Sequence, residues 1–136
     1  MAATRFSPKP SPLWVAYQSD ETGRYEVYIQ GFPEPRGKFP ISTGGGQYPE
    51  WGAGGRELFY VSPDNKLMVS DLATTPEVVR PSARRALFTL PIIDNGWSPY
   101  YTIDGQRFLV RAVQQAPPLA LIVNWPALLK RGAAAP

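Results

Sequence analysis

The chain contains neither histidine nor cysteine, and the two absences remove most familiar side-chain chemistry. Ser-His-Asp and Cys-His nucleophiles cannot be assembled, the commonest metal ligand is missing, and thiolate zinc sites and disulfides are excluded. Carboxylates, lysine, tyrosine and serine remain. Two carboxylates flanking a glycosidic bond suffice for hydrolysis, and 11 acidic residues are available. Asp20, Glu21, Asp64, Asp94 and Asp104 fall in turn-like surroundings, where Asp ordinarily accepts backbone hydrogen bonds. Glu50 differs because it sits beside Trp51 in a strand-like motif. A solvated or salt-bridged glutamate is its ordinary reading; a hydrolase would pair Glu50 with an Asp such as Asp104. The Gly44-Gly45-Gly46 run invites a phosphate loop, but such a cradle needs a helix N-terminus or a Lys-Ser/Thr pair. Here Gln47-Tyr48-Pro49 follows and opens a strand, so the run reads as a connection between repeats. No loop has the dense Asp/Asn alternation of a calcium site, Asp104 being the nearest candidate ligand, and no metal or cofactor is expected. Trp14, Trp51, Trp97 and Trp125 have the faces to stack on sugars, although strand aromatics mostly pack against one another.

The elements that must hold these residues are short strands. Of 136 residues, 43% are hydrophobic, 16 are proline and 12 are glycine. The apolar residues come in brief groups between these breakers, a pattern of strands and tight turns rather than long helices. Internal repetition sharpens the reading. Tyr48-Pro49-Glu50-Trp51 aligns with Ser98-Pro99-Tyr100-Tyr101, and Gly55 to Tyr60 aligns with Gly105 to Val110, each a strand, a glycine turn and a more apolar strand. A third copy runs from Phe6-Ser7-Pro8 to Trp14-Val15-Ala16-Tyr17. Further strands are expected at Tyr25 to Gln30, Lys66 to Asp71 and Leu119 to Asn124, with outer strands at Lys38 to Ser42 and Arg85 to Thr89. The unit is four strands in about 40 to 50 residues, the size of a propeller blade.

These residues resemble TolB-like (PD40, WD40-like) β-propellers, in particular the C-terminal blades of propellers fused to bacterial serine/threonine kinases. The similarity is carried by Trp14 to Asp20, Glu26 to Gln30, Ile41 to Trp51, Gly55 to Tyr60, Asp104 to Val110 and Leu121 to Leu129. The family turn reads Ser-Pro-Asp-Gly; only Asp104-Gly105 keeps the Asp-Gly pair, while Gly52-Ala53-Gly54-Gly55 keeps the tolerance of positive φ without the carboxylate. The resemblance implies an all-β fold, a partial propeller of about three four-stranded antiparallel blades over residues 4–43, 44–91 and 96–125. Pro126 suits the first position of a short C-terminal helix, making 126–136 a cap.

Three blades do not close a ring, since propellers have about four to eight. An open arc leaves the flat faces of its first and last blades wet, so a homodimer of two arcs is the economical expectation, the rival being a monomer whose tails fold over those faces. The leading function is a non-catalytic protein-interaction or ligand-binding module, with a protein or glycan meeting a channel mouth lined by Tyr48, Glu50, Trp97, Tyr100 and Tyr101. The alternatives are a carbohydrate-active hydrolase using channel carboxylates, and a functionless remnant of a larger kinase-linked sensor propeller. The net charge of +3 is scattered, with Arg80, Arg84 and Arg85 reading as a solvated face, so nucleic acid is not an expected partner. With no signal-like N-terminus and no apolar run of spanning length, membrane binding is not expected and the cytoplasm is the default compartment, although members of the resembled family can be extracytoplasmic.

Overall fold

A computed structural model of the chain describes residues 4–7, 13–91, 98–102, 104–111 and 120–124. Among the described residues, eleven strands form three antiparallel sheets. The first sheet holds β1 (Thr4–Phe6), β2 (Leu13–Ser19), β3 (Glu26–Phe32) and β4 (Lys38–Pro40), ordered as in the chain. The second repeats that order with β5 (Gln47–Trp51), β6 (Glu57–Val61), β7 (Lys66–Thr74) and β8 (Val79–Thr89). The third holds β9 (Tyr100–Thr102), β10 (Arg107–Arg111) and β11 (Ala120–Asn124), with β10 central.

Local chemistry explains the hairpins. Between β6 and β7, Asn65 adopts φ 66°, a left-handed conformation its short amide side chain tolerates, and its N–H donates to the Ser62 carbonyl at 2.9 Å. The β5–β6 turn reaches the same end with Gly54 at φ 73° and Gly55 at φ 69°. In the β9–β10 turn, Asp104 Oδ1 accepts the N–H groups of Gln106 and Arg107, both at 2.9 Å.

Alternation along the strands builds two apolar layers. Trp14, Ala16, Val27, Ile29 and Ile41 of the first sheet region pack with Trp51, Leu58, Tyr60, Leu72 and Val79. On the other side of the second sheet, Phe59, Val61, Leu67 and Val69 pack with Tyr100, Phe108 and Val110. The second sheet is therefore sandwiched, the first and third each packing one face against it.

A strand appears at each expected position, but the third sheet has three strands among the described residues where a full blade has four, and one outer strand is longer than its sequence suggests. β8 begins at Val79 rather than Arg85, with Pro81 inside it. Proline reads as a breaker, but β8 is an edge strand, where a missing N–H costs no ladder bond, and a register shift opposite Ser70 and Leu72 absorbs it. Pro40 likewise lies in edge strand β4, and Pro49 lies where β5 shifts register. The expected C-terminal helix and the turn from Gln114 to Pro118 lie outside the described residues. Among the described residues no helix is long and apolar enough to cross a membrane.

Candidate functional site

β5 and β9, the first strands of the second and third sheets, carry described residues that the sequence singles out, and β1 and β2 of the first sheet supply their partners where the sheets adjoin. β5 is irregular at this point: its pairing with β6 shifts between Gln47 and Glu50, and Tyr48 takes φ 56°. A bulky residue adopts that conformation only where its surroundings hold it. Two neighbouring sheets supply the hold. Gln18 Oε1 of β2 accepts the Tyr48 N–H at 2.8 Å, and the Tyr100 hydroxyl of β9 donates to the Tyr48 carbonyl at 2.7 Å.

Glu50, two residues on, is largely buried and accepts from Arg5 Nε of β1 at 2.8 Å. Burial pushes its carboxyl above the ordinary 4.5, with the Arg5 hydrogen bond and charge opposing. The indole N–H of Trp51 donates to the Arg5 carbonyl at 3.0 Å, so both the side chain and the backbone of Arg5 fasten β1 to β5. Tyr100 is fully buried, and its hydroxyl is held well above its ordinary pKa, first by burial and then by the nearby Glu50 charge.

Of the five expected mouth residues, Tyr48, Glu50 and Tyr100 come together. Tyr100 stands inside the packing between the second and third sheets rather than at a surface. Tyr101 points the other way along β9 and is exposed. Trp97 lies outside the described residues.

The proposed carboxylate partner of Glu50 is engaged elsewhere. Asp104 receives two backbone N–H groups and Arg107 Nε at 3.0 Å, which lower its pKa to about 2. Asp64, also in a turn, receives the Ser62 hydroxyl at 2.5 Å and the Lys66 ammonium at 3.2 Å. Glu21 forms an ion pair with Lys38. Among the described residues no group of His, Cys, Asp or Glu is placed to hold a metal ion.

The glycine run has its own carboxylate. Gly44 and Gly45, at φ 91° and 109°, aim their N–H groups at Glu26 Oε1 at 3.2 and 2.9 Å. Glu26 also receives the Ser42 hydroxyl and Arg24 Nε at 3.0 Å. Successive N–H groups of this kind make an anion cradle, and here a side chain of the same chain fills it. A Cβ on Gly45 would lie 2.3 Å from Pro63 Cγ, so the loop also needs glycine for space. The run joins the first sheet to the second, as its sequence indicates.

Sequence reasoning missed Arg5 and Gln18. Arg5 gives no local signal, being 45 residues from its partner. Gln18 gives one: it alternates with Trp14 and Ala16 on an inward-facing side of β2, where a buried polar residue needs a partner.

Comparison with known proteins finds no matching family, no matching curated protein and no matching solved structure.

Proposed function

We propose that the chain is a non-catalytic interaction module built from propeller-type blades. The blade reading is supported by three sheets of like strand order that follow one another in the chain and pack face to face, and by the TolB-like turns and strands of the sequence. The function rests on one observation: the polar groups at the sheet junction are spent on holding the sheets together, while large apolar side chains are left outside. Glu50 is tied to Arg5, the Tyr100 hydroxyl to the Tyr48 carbonyl, and Asp104 to its own turn. Phe6, Phe32, Tyr101 and Leu109 remain 53, 42, 47 and 44% exposed, all on the first and third sheets. They form two pairs, Phe6 against Phe32 on the first sheet and Tyr101 opposite Leu109 on the third, and exposed apolar side chains set together in this way suit the binding of another molecule.

One feature favours the hydrolase alternative. A buried carboxyl with a raised pKa is suited to act as a general acid, and Glu50 is such a group. A screen of aryl glycosides and oligosaccharides separates the two readings. The module shows no turnover, and Glu50→Gln leaves that blank unchanged. Turnover that disappears in Glu50→Gln would assign Glu50 to catalysis and end the module reading.

A further inference from the structure

We propose that the cleft between the β2–β3 turn, the glycine connection and the β6–β7 turn is a binding site in its own right, and that it takes a small organic monoanion: a carboxylate carried on a flat ring. The proposal goes beyond the module reading and needs no partner at the exposed apolar pairs.

The cleft has a volume of about 360 Å³, at the small end of the range for sites that hold one small molecule. Arg24 and Tyr25 line it from the β2–β3 turn, and Val61 and Pro63 from the end of β6 and the turn beyond. Gly44 to Gly46 and Gln47 complete the lining. Its walls are fixed to one another. The Gly46 N–H donates to the Tyr25 carbonyl at 2.8 Å, and Gln47 is the register partner of Val61. A Cβ added to Gly44 would meet nothing within 4 Å, so the backbone there borders open space. A flat group can lie against such a backbone, with the Tyr25 ring, Val61 and Pro63 as apolar neighbours.

The polar groups of this cleft differ from those between β1, β5 and β9, which are spent on one another. Among the described residues, the Arg24 Nη groups, the Tyr25 hydroxyl and the Gln47 side-chain amide have no protein partner. Arg24 is held by one edge only, its Nε donating to Glu26 Oε1 at 3.0 Å. The guanidinium is thereby oriented while its outer nitrogens stay open, and a carboxylate is the group that such nitrogens match best. Glu26 also sets the charge of the ligand. It is buried, and its own charge is met by the Ser42 hydroxyl and by the Gly44 and Gly45 N–H groups as well as by Arg24. One further negative charge can therefore pair with Arg24. A dianion would face Glu26 across a single shared cation and gain nothing from its second charge.

Amide NMR spectra of the full chain titrated with benzoate test this. Saturable shifts are expected at Gly44, Gly45, Gly46 and Gln47, with a dissociation constant on the order of 1 mM. Benzyl alcohol keeps the ring and acetate keeps the carboxylate; each binds about tenfold more weakly than benzoate. Phenyl phosphate, a dianion, binds no tighter than benzoate. Arg24→Gln lowers benzoate affinity about tenfold, and Arg24→Lys, which keeps the charge without the fork, falls between. Pro63→Glu leaves the Arg24–Glu26 pair intact, sets a negative charge at the cleft and weakens binding about fivefold, so the test does not hang on one variant's folding. No saturable shift up to about 20 mM benzoate, shifts confined to other residues, benzyl alcohol binding as well as benzoate, phenyl phosphate binding tighter, or undiminished binding by both Arg24→Gln and Pro63→Glu would each overturn the proposal. The module reading survives any of these results, since it falls only to catalytic turnover.

Discussion

The two internal junctions solve one packing problem with different materials. Between the first and second sheets, apolar packing is laced with long-range polar ties: Arg5 to Glu50, Trp51 to the Arg5 carbonyl, Gln18 to the Tyr48 N–H, and Arg84 Nε to the Ile41 carbonyl at 2.6 Å. Between the second and third, aromatic rings dominate. Phe108 sits edge-on to Phe59 at 4.9 Å and to Phe88 at 5.9 Å, with Tyr100 tilted at 6.3 Å. The Tyr100 hydroxyl adds one specific polar anchor. A tied junction fixes register through direction-dependent bonds, whereas a ring cluster gains chiefly from area removed from water. The first junction should therefore respond to pH and the second to loss of volume.

The largest expected effect breaks the aromatic side. Phe108 is fully buried among three rings, and Phe108→Ala should cost about 3–5 kcal/mol, through lost transfer energy and the cavity left behind. Denaturant unfolding measures the loss. Amide exchange locates it: protection should fall in β9 and β10 first, while β2 and β3 keep theirs. Uniform loss across all three sheets would show that the junctions are not separable.

A smaller change probes the anchor. Tyr100→Phe keeps the ring and removes the hydroxyl that satisfies the Tyr48 carbonyl, for a cost of about 1–3 kcal/mol. Because that carbonyl belongs to a residue held in a left-handed conformation, exchange at Tyr48 and Glu50 should rise with it. An unchanged β5 would mean that Gln18 alone holds the bulge.

The smallest effect sharpens the tied side. The folded-state pKa of Glu50 is raised above its ordinary 4.5, chiefly by burial. The folded chain therefore binds this proton more tightly than the unfolded one. The corresponding stability is present below about 4.5 and is lost as pH rises through the folded value. Glu50→Gln should flatten this part of the stability–pH curve, and thermal unfolding across mildly acidic pH measures the difference. A variant whose curve overlays that of the wild type would place the pH response elsewhere.

The strands were legible because glycine and proline punctuate them and because Leu58-Phe59-Tyr60 and Phe108-Leu109-Val110 repeat one alternation. That alternation did not tell inward residues from outward ones, since Leu58, Phe59 and Tyr60 are all buried in the sandwiched second sheet while Leu109, aligned with Phe59, is exposed. The length of β8 was hidden because Pro81 breaks a central strand but not an edge. The junction was only half legible. Tyr48, Glu50 and Tyr100 stood out as residue types in aligned positions, but their tasks depend on partners 30 to 52 residues away. Tyr100 and Tyr101 are adjacent in sequence and opposite in exposure, and only knowing which sheet lies on which side separates them. The cradle at Gly44 and Gly45 showed its capacity for an anion but not its occupant, because Glu26 arrives from a strand 18 residues earlier.

The prolines at the sheet margins have a consequence for how this chain can aggregate. Pro40 in β4, Pro49 in β5 and Pro81 in β8 each withhold an N–H from the row that an incoming strand would need. Fibre growth by lateral strand addition is thereby discouraged along three margins, in a protein whose described residues include four large apolar side chains open to water.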